Sequence, residues 1–256
     1  MALLKTPAIL LRRTDYGDFD LIVTVFSLRQ GKLSLIVKSG KKSKKRFSGV
    51  LELFSQIEMV ASRGRRGRLA VLQEASLEEP YANIRSDIQK TAYASYWAEL
   101  INGWMEENVR SAPLYALLTY VLGALDRERD SGEALSVLFQ IQFLNLSGHS
   151  PNLAVCSACR RNLGELAQPF LGFSLSAGGI ICRDCGGSKD SLRLSLGTVK
   201  QLLWVQSGDL RKAARIRFSA KGTREALACL EAFVPYHLGR QLKSLKFLRQ
   251  IRKKLE

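Results

Sequence analysis

Hydrophobic and polar positions change their period along the 256-residue chain. From Pro7 to about Glu79 the apolar residues fall in short runs: PAILLRR, FDLIVTVFS, KLSLIVKSG, VLELFSQIEMVAS and RLAVLQEASLE. These runs are rich in β-branched and aromatic residues and are parted by turn signals, which predicts strands. The connectors RRTDYGD, LRQGK and SRGRRGR carry Gly17, Gly31, Gly64 and Gly67, residues that accept a positive φ without strain. Five strands in so short a stretch suit a small closed barrel. An OB-fold has that strand count, and an SH3-like barrel is the alternative that strand counting leaves open.

At Pro80 the spacing lengthens to three and four residues. YANIRSDIQKTAYASYWAELINGWMEENV, APLYALLTYVLGALDRER and EALSVLFQIQFLNLSG predict three helices, with Pro113 at the opening of the second. DRERDSGE reads as a solvated connection. Tyr93, Tyr96, Trp97 and Trp104 sit at helical spacing, which favours core packing over base stacking. Residues 151–190 lose the pattern. It returns in LGTVKQLLWVQSGDL, KGTREALACLEAFVPYHLG and RQLKSLKFLRQIRKKL. In the last of these Leu242, Leu245, Leu248, Ile251 and Leu255 form one stripe, and Arg240, Lys243, Lys246, Arg249 and Lys253 another.

The interrupted stretch holds Cys156-Ser-Ala-Cys159 and Cys182-Arg-Asp-Cys185, two C-x2-C pairs with 22 residues between them. Each two-residue spacer lets a tight turn aim both thiolates at one point, and two such turns supply the four tetrahedral ligands of a closed zinc site. Gly178, Gly179, Gly186 and Gly187 suit a tight knuckle there. A redox pair would need a single C-x2-C. The expectation is one structural Zn2+ with four cysteine ligands, holding a segment too poor in apolar residues to fold by burial alone. Cys229, His149 and His237 have no partners at a recognisable spacing and read as structural. The predicted fold is therefore α+β and multidomain: an OB-fold barrel over residues 1–80, an α-helical domain from 81–150 and 191–256, and an inserted zinc ribbon over 151–190.

Charge changes the picture further. There are 39 basic and 23 acidic residues, a net +16. Residues 1–80 carry 15 basic and 8 acidic side chains, a net +7, and residues 191–256 carry 15 and 4, a net +11. Residues 81–150 are net negative. Two basic ends flanking an acidic middle point to an anionic partner. The densest stretch, KSGKKSKKRFSG, brings Lys38, Lys41, Lys42, Lys44, Lys45 and Arg46 onto one loop of the barrel, and Arg63, Arg65, Arg66 and Arg68 form a second basic hairpin. OB barrels take single strands on a strand face and its loops, so nucleic acid is the expected ligand, bound mainly through phosphate. No nucleotide-binding glycine loop, nucleophile elbow or deaminase motif is found, so no enzymatic activity and no small-molecule substrate are expected. Asp15, Asp18 and Asp20 cluster in a turn; a turn role outweighs a metal-dependent nuclease role. No apolar run approaches the roughly 20 residues of a membrane span, and MALLKTPAILLRRTDYGD lacks the order of a signal peptide. The expectation is a cytoplasmic protein with no membrane partner.

Several stretches resemble the bacterial recombination mediator RecO family: AILLRRTDYGDFDLIVTVFSLRQGKLSLIVKSGKKSKKRFSGVLELF at the start, GHSPNLAVCSAC and FSLSAGGIICRDC around the cysteines, and LGRQLKSLKFLRQI near the end. One departure is Asp18, where the family usually has Glu. The resemblance implies an OB domain, a helical domain and a zinc ribbon. It also implies annealing of complementary strands, binding of single- and double-stranded DNA, and action with RecR to load RecA onto strands coated by single-strand-binding protein. The acidic C-terminal tail of that coating protein is a further implied partner. The leucines and cations of the last helix, with Arg240, Lys243, Lys246 and Arg249, are the expected tail or DNA contact. A zinc-ribbon RNA-binding or transcription-associated adaptor is the alternative reading.

Overall fold

The computed structural model describes residues 3–42, 46–62, 69–127, 132–166, 168–186 and 192–255. In chain order the elements are β1 (Leu3–Tyr16), β2 (Asp20–Ser27), β3 (Gly31–Val37), β4 (Gln56–Ser62), β5 (Ala70–Glu79), α1 (Ala82–Ser86), α2 (Ile88–Trp104), α3 (Ala112–Arg127) and α4 (Gly132–Leu146). There follow β6 (Phe170–Ser174), β7 (Gly179–Ile181), β8 (Leu192–Ser195), α5 (Leu196–Ser207), α6 (Leu210–Ala213), α7 (Ala220–Leu238) and α8 (Lys243–Leu255).

The first five strands close into a barrel in the order β1-β2-β3-β5-β4. β3 meets β5 in parallel, and β4 returns antiparallel to β1. That is the strand order of an OB-fold, which decides against the SH3-like alternative. Period-two alternation builds it: along β3, Leu33, Leu35 and Val37 turn into the core, joined by Leu21, Val23 and Val25 of β2 and Ile57, Met59 and Ala61 of β4. β1 runs longer than its apolar stretch, and a register shift between Leu10 and Arg12 lets the one strand bend between β2 and β4. The run VLELFSQIEMVAS, in contrast, becomes strand only at Gln56. Phe54, at φ 71°, turns the chain just before it and donates its N–H to Leu10 O at 2.8 Å.

Gly31 shows why the β2–β3 turn needs glycine. Its φ is 70°, and a Cβ there would stand 1.9 Å from the Val109 carbonyl oxygen. The segment after α2 lies along β3 at this point. Asn108 N–H donates to Lys32 O at 2.9 Å, Lys32 Nζ to Asn102 O at 2.8 Å, and Ser34 Oγ to Glu107 Oε1 at 2.5 Å.

Two compact units emerge, residues 1–129 with 242–256 and residues 130–241. Packing thus divides the helical residues differently from composition: α1–α3 and α8 join the barrel's unit, and α4–α7 gather with the cysteine region. In the first unit the long helix expected after Pro80 is two, broken at Asp87, whose extended backbone (φ −124°, ψ 121°) ends α1 and whose side chain caps α2 by accepting from the N–H groups of Gln89 and Lys90. Tyr93, Tyr96 and Trp97 are fully buried, as their spacing predicts, while Trp104 at the end of α2 is only partly buried. α8 packs on α2, burying Leu242, Leu245 and Leu248. Glu99 of α2 accepts from the N–H groups of Lys243 (3.3 Å) and Ser244 (2.8 Å) and from Ser244 Oγ. The expectation that these leucines are offered to a partner is corrected by this packing; among the described side chains of α8, the large apolar one left exposed is Phe247.

In the second unit β6 is the centre of a three-stranded sheet, β7-β6-β8. The cysteine region therefore extends to Ser195, past the boundary at residue 190 drawn from composition. Phe173 of β6 meets Phe233 of α7 edge-on, 5.3 Å between ring centres, so the sheet is seated on a helix. Glu225 of α7 accepts from Ser195 N and Oγ and from Thr198 Oγ1 at the start of α5. Cys229 is buried mid-helix, its thiol pushed up by desolvation, and acts as a small hydrophobe. Among the described residues no helix is long and apolar enough to cross a membrane.

Candidate metal centre and nucleic-acid interface

The four cysteines converge. Their Sγ atoms all lie within 4.8 Å of one another, and Cys159 and Cys182 are 3.7 Å apart. Sulfurs held about 2.3 Å from a central ion at tetrahedral angles stand about 3.8 Å apart, so the cluster fits a metal shell. The turns that bring them together are fixed by backbone geometry. Asn152 N–H donates to Gly178 O and Ile180 N–H to Asn152 O, an approach so close that a Cβ on Gly179 would stand 2.4 Å from Asn152 O. Gly186, at φ 82°, ends the turn that carries Cys185. Cys156 and Cys182 are buried, with Cys159 and Cys185 at the surface.

Electrostatics favour a thiolate at Cys159. Arg161 donates to Cys159 Sγ and Cys182 Sγ, each at 3.4 Å, and is itself held by Asp184. Its guanidinium brings the Cys159 thiol down to about 6, while Cys185, sharing protons with the Cys182 and Cys159 sulfurs, is pushed up to about 12. Four sulfurs this close resist ionising together unless a cation sits among them. Among the described residues this is the one group of three or more Cys, His, Asp or Glu side chains whose ligand atoms come together. A shell of four sulfurs is complete and suits an ion that holds structure.

The barrel offers the second site. Cross-strand pairs share a face, so Arg12, Thr14 and Tyr16 of β1 lie on one surface with Asp20, Ile22 and Thr24 of β2 and Ser34 and Ile36 of β3. This is the outer face, opposite the core residues. At its end the β1–β2 turn and the lysine loop are tied together. Lys41 N–H donates to Phe19 O at 3.0 Å, and Lys41 Nζ reaches Gly17 O at 2.9 Å and Asp15 at 3.1 Å. Lys38 pairs with Asp20 at 2.6 Å, Ser39 N–H donates to the same carboxylate, and these two bonds hold the Asp20 carboxyl below the usual range. Lys42 lies 3.5 Å over the Phe19 ring, and Arg46 donates to Lys38 O at 3.0 Å.

Comparison with known proteins shows the family to which the chain is similar. Residues 1–81 match the family described as Recombination protein O N terminal, and residues 85–246 match Recombination protein O C terminal. The chain is 42% identical over 254 residues to DNA repair protein RecO of Desulfosudis oleivorans, covering 97% of this chain and 98% of that one. It is 43% identical over 251 residues to DNA repair protein RecO of Desulfatibacillum aliphaticivorans, covering 97% of each, and 35% identical over 252 residues to that of Syntrophus aciditrophicus, covering 97% and 96%. The chain belongs to the RecO family.

RecO membership assigns a role in DNA repair and recombination. Of the residues singled out in the sequence, the structure brings Cys156, Cys159, Cys182 and Cys185 into one cluster and sets Lys38, Lys41, Lys42 and Arg46 around the barrel rim. Lys44, Lys45, Arg63, Arg65, Arg66 and Arg68 lie outside the described residues. Lys243, Lys246 and Arg249 stand on the exposed side of α8, and Arg240 falls in the second unit. Asp15 and Asp20 are partners of lysines rather than a metal-binding pair. Two residues at this rim that the sequence pattern does not single out are Tyr16, 53% exposed, and Phe19, 45% exposed. The available signal was two aromatics flanking Gly17-Asp18 inside a hairpin tip, where no core exists for them to fill.

Proposed function

We propose that this protein binds single- and double-stranded DNA, anneals complementary single strands and, with RecR, promotes loading of RecA onto strands coated by single-strand-binding protein. The observation that carries this reading is the outer face of the OB barrel with Lys38, Lys41, Lys42 and Arg46 at its end, in a chain of the RecO family. Annealing brings two polyanions side by side, and cations along the contact offset their repulsion while leaving base edges free to pair. The Lys38–Asp20 and Lys41–Asp15 pairs are solvent-screened, so a phosphate exchanges readily for the carboxylate. Lys44, Lys45, Arg63, Arg65, Arg66 and Arg68, outside the described residues, add six positive charges between β3 and β5 in the sequence. We read the protein as non-catalytic and cytoplasmic, and the ion of the cysteine cluster as one structural zinc. Lys243, Lys246 and Phe247 of α8 are the groups we assign to an acidic, apolar-ended tail of single-strand-binding protein.

The test is annealing of complementary oligonucleotides at low salt, with strand binding measured over a salt series. The Lys41→Gln/Lys42→Gln variant is expected to lower the slope of log K against log salt by about 0.7 for each phosphate contact removed. No acceleration of annealing by the wild type would end the annealing reading, and an unchanged slope in the variant would move the strand elsewhere. A marked preference for RNA in competition would favour the adaptor alternative.

A further inference from the structure

We propose that Tyr16 and Phe19 are stacking residues for unpaired bases, so that the β1–β2 turn reads the single-stranded state while the lysines beside it hold phosphate. This rests on the DNA reading above and adds the chemistry of what is held there. The first observation is exposure. Both aromatics stand on one five-residue hairpin tip, about half open to solvent, where neither contributes to the barrel core. Burial is what usually selects an aromatic, and here it is only about half complete.

The second observation is rigidity. An exposed hairpin tip is ordinarily free to move, but this one is tied at its backbone and side chains to the loop that follows β3. Phe19 O accepts from Lys41 N–H, Gly17 O from Lys41 Nζ, and the Asp20 carboxylate from Ser39 N–H and Lys38 Nζ. Gly17, at φ 56°, permits the reversal. A platform held in this way loses little further freedom when a base settles on it.

The third observation is what surrounds the rings. Lys42 Nζ covers one face of Phe19 at 3.5 Å, placing a cation within one nucleotide's reach of a stacked base. Tyr16 ends the outer strand face. Behind it Thr14, exposed, and Ile22, Ile36 and Val71, each partly open, form a row across β1, β2, β3 and β5, with Arg12 exposed alongside. In OB-folds this strand face and the loop between the first two strands are where oligonucleotides lie. Stacking engages only the flat side of a base. Its pairing edge stays free, which is what a protein that joins two complementary strands requires of the strand it holds first. A duplex keeps its bases stacked on one another and offers no such flat surface, so the platform acts on single strands alone.

The experiment measures equilibrium binding of full-length protein to three probes of equal length: an oligothymidine strand, the same strand with abasic sites, and a duplex, each over a salt series. Tyr16→Ala and Phe19→Ala are each expected to weaken oligothymidine binding roughly tenfold. The salt slope and duplex affinity should stay unchanged, because no phosphate contact is lost. The wild type should bind the abasic strand more weakly by up to about a hundredfold, since both stacks are lost, and Tyr16→Phe should bind as the wild type does. Oligothymidine affinity unchanged in both alanine variants, or equal wild-type affinity for the abasic strand, would overturn the stacking role while leaving the phosphate contacts standing. Equal losses on single strand and duplex would likewise overturn it, pointing to a general disturbance of the rim. A wild type that binds no strand at all would remove the DNA reading and this inference together.

Discussion

Replacing Glu99 with alanine asks whether α8 is held by its first turn as well as by its leucines. The carboxylate reaches from α2 to the N–H groups of Lys243 and Ser244 and to the Ser244 hydroxyl. These N–H groups are among the donors a helix leaves unbonded at its start, and the partial positive charge there favours an anion. A hydrogen bond to a charged acceptor contributes about 1.5–3 kcal/mol. The 3.3 Å contact is long, Glu99 is only half-buried, and water can satisfy the freed donors, so the total loss should be about 2–3 kcal/mol. Leu242, Leu245 and Leu248 are each buried, at about 1.5–3 kcal/mol apiece, so the helix should remain docked but open more often. At about 1.4 kcal/mol per tenfold, the opening equilibrium rises about 30- to 150-fold. Amide hydrogen exchange read by mass spectrometry measures this directly. Peptides from α8 should lose protection by that factor, with β2 and β3 unchanged. Glu99→Gln should fall between, keeping an acceptor but not the charge, and Glu99→Ala with Ser244→Ala should cost less than the two singly. Unchanged α8 protection in Glu99→Ala would refute the reasoning and leave the leucines as sole anchor.

Gly31→Ala should lower stability by about 2–4 kcal/mol, since it strains a left-handed backbone and drives a methyl into the Val109 carbonyl, displacing the Asn108–Lys32 bond; a urea midpoint close to that of the wild type would contradict the close approach. Stripping the metal with a chelator, or Cys182→Ser, should remove exchange protection from β6 and β7 while β1–β3 keep theirs; protection retained after chelation would mean that backbone pairing alone holds the turns. His237 is held below its usual range by burial and then by His149, whose ring is 5.8 Å away. A histidine kept neutral in the fold contributes fully above about pH 6.5, and stability falls as pH drops through that value toward the folded pKa. His237→Gln should flatten that fall in the urea midpoint between about pH 7.5 and 5.5, and an undiminished fall would assign it to other groups.

Much of this fold is legible in the residue pattern, for identifiable reasons. Alternation along KLSLIV forces one face inward, and two C-x2-C pairs leave few ways to use four thiols. What pattern conceals is partnership across long separations. Nothing local announces that Glu99 will cap a helix starting at Lys243, so α8 reads as free to offer leucines that are in fact buried. Apolar spacing also runs straight through Asp87, because a helix break need not interrupt a hydrophobic stripe. The lysine loop is legible as charge, but its ties to Asp15, Phe19 and Asp20 are tertiary. Those ties turn Lys38, Lys41 and Lys42 from solvated cations into a fixed rim beside Tyr16 and Phe19.

The first unit is discontinuous in the chain, closed by α8 after the whole of the second has been made. At ribosomal speeds of roughly 5–20 residues per second, the residues from 130 to 241 take about 6–22 s to synthesise. For that interval the side of α2 that α8 covers, and the waiting carboxylate of Glu99, stand uncovered on a barrel that can already have folded. Nascent chains should pass through a long-lived, sticky half-product, a target for chaperones, and strand contacts that involve α8 mature last.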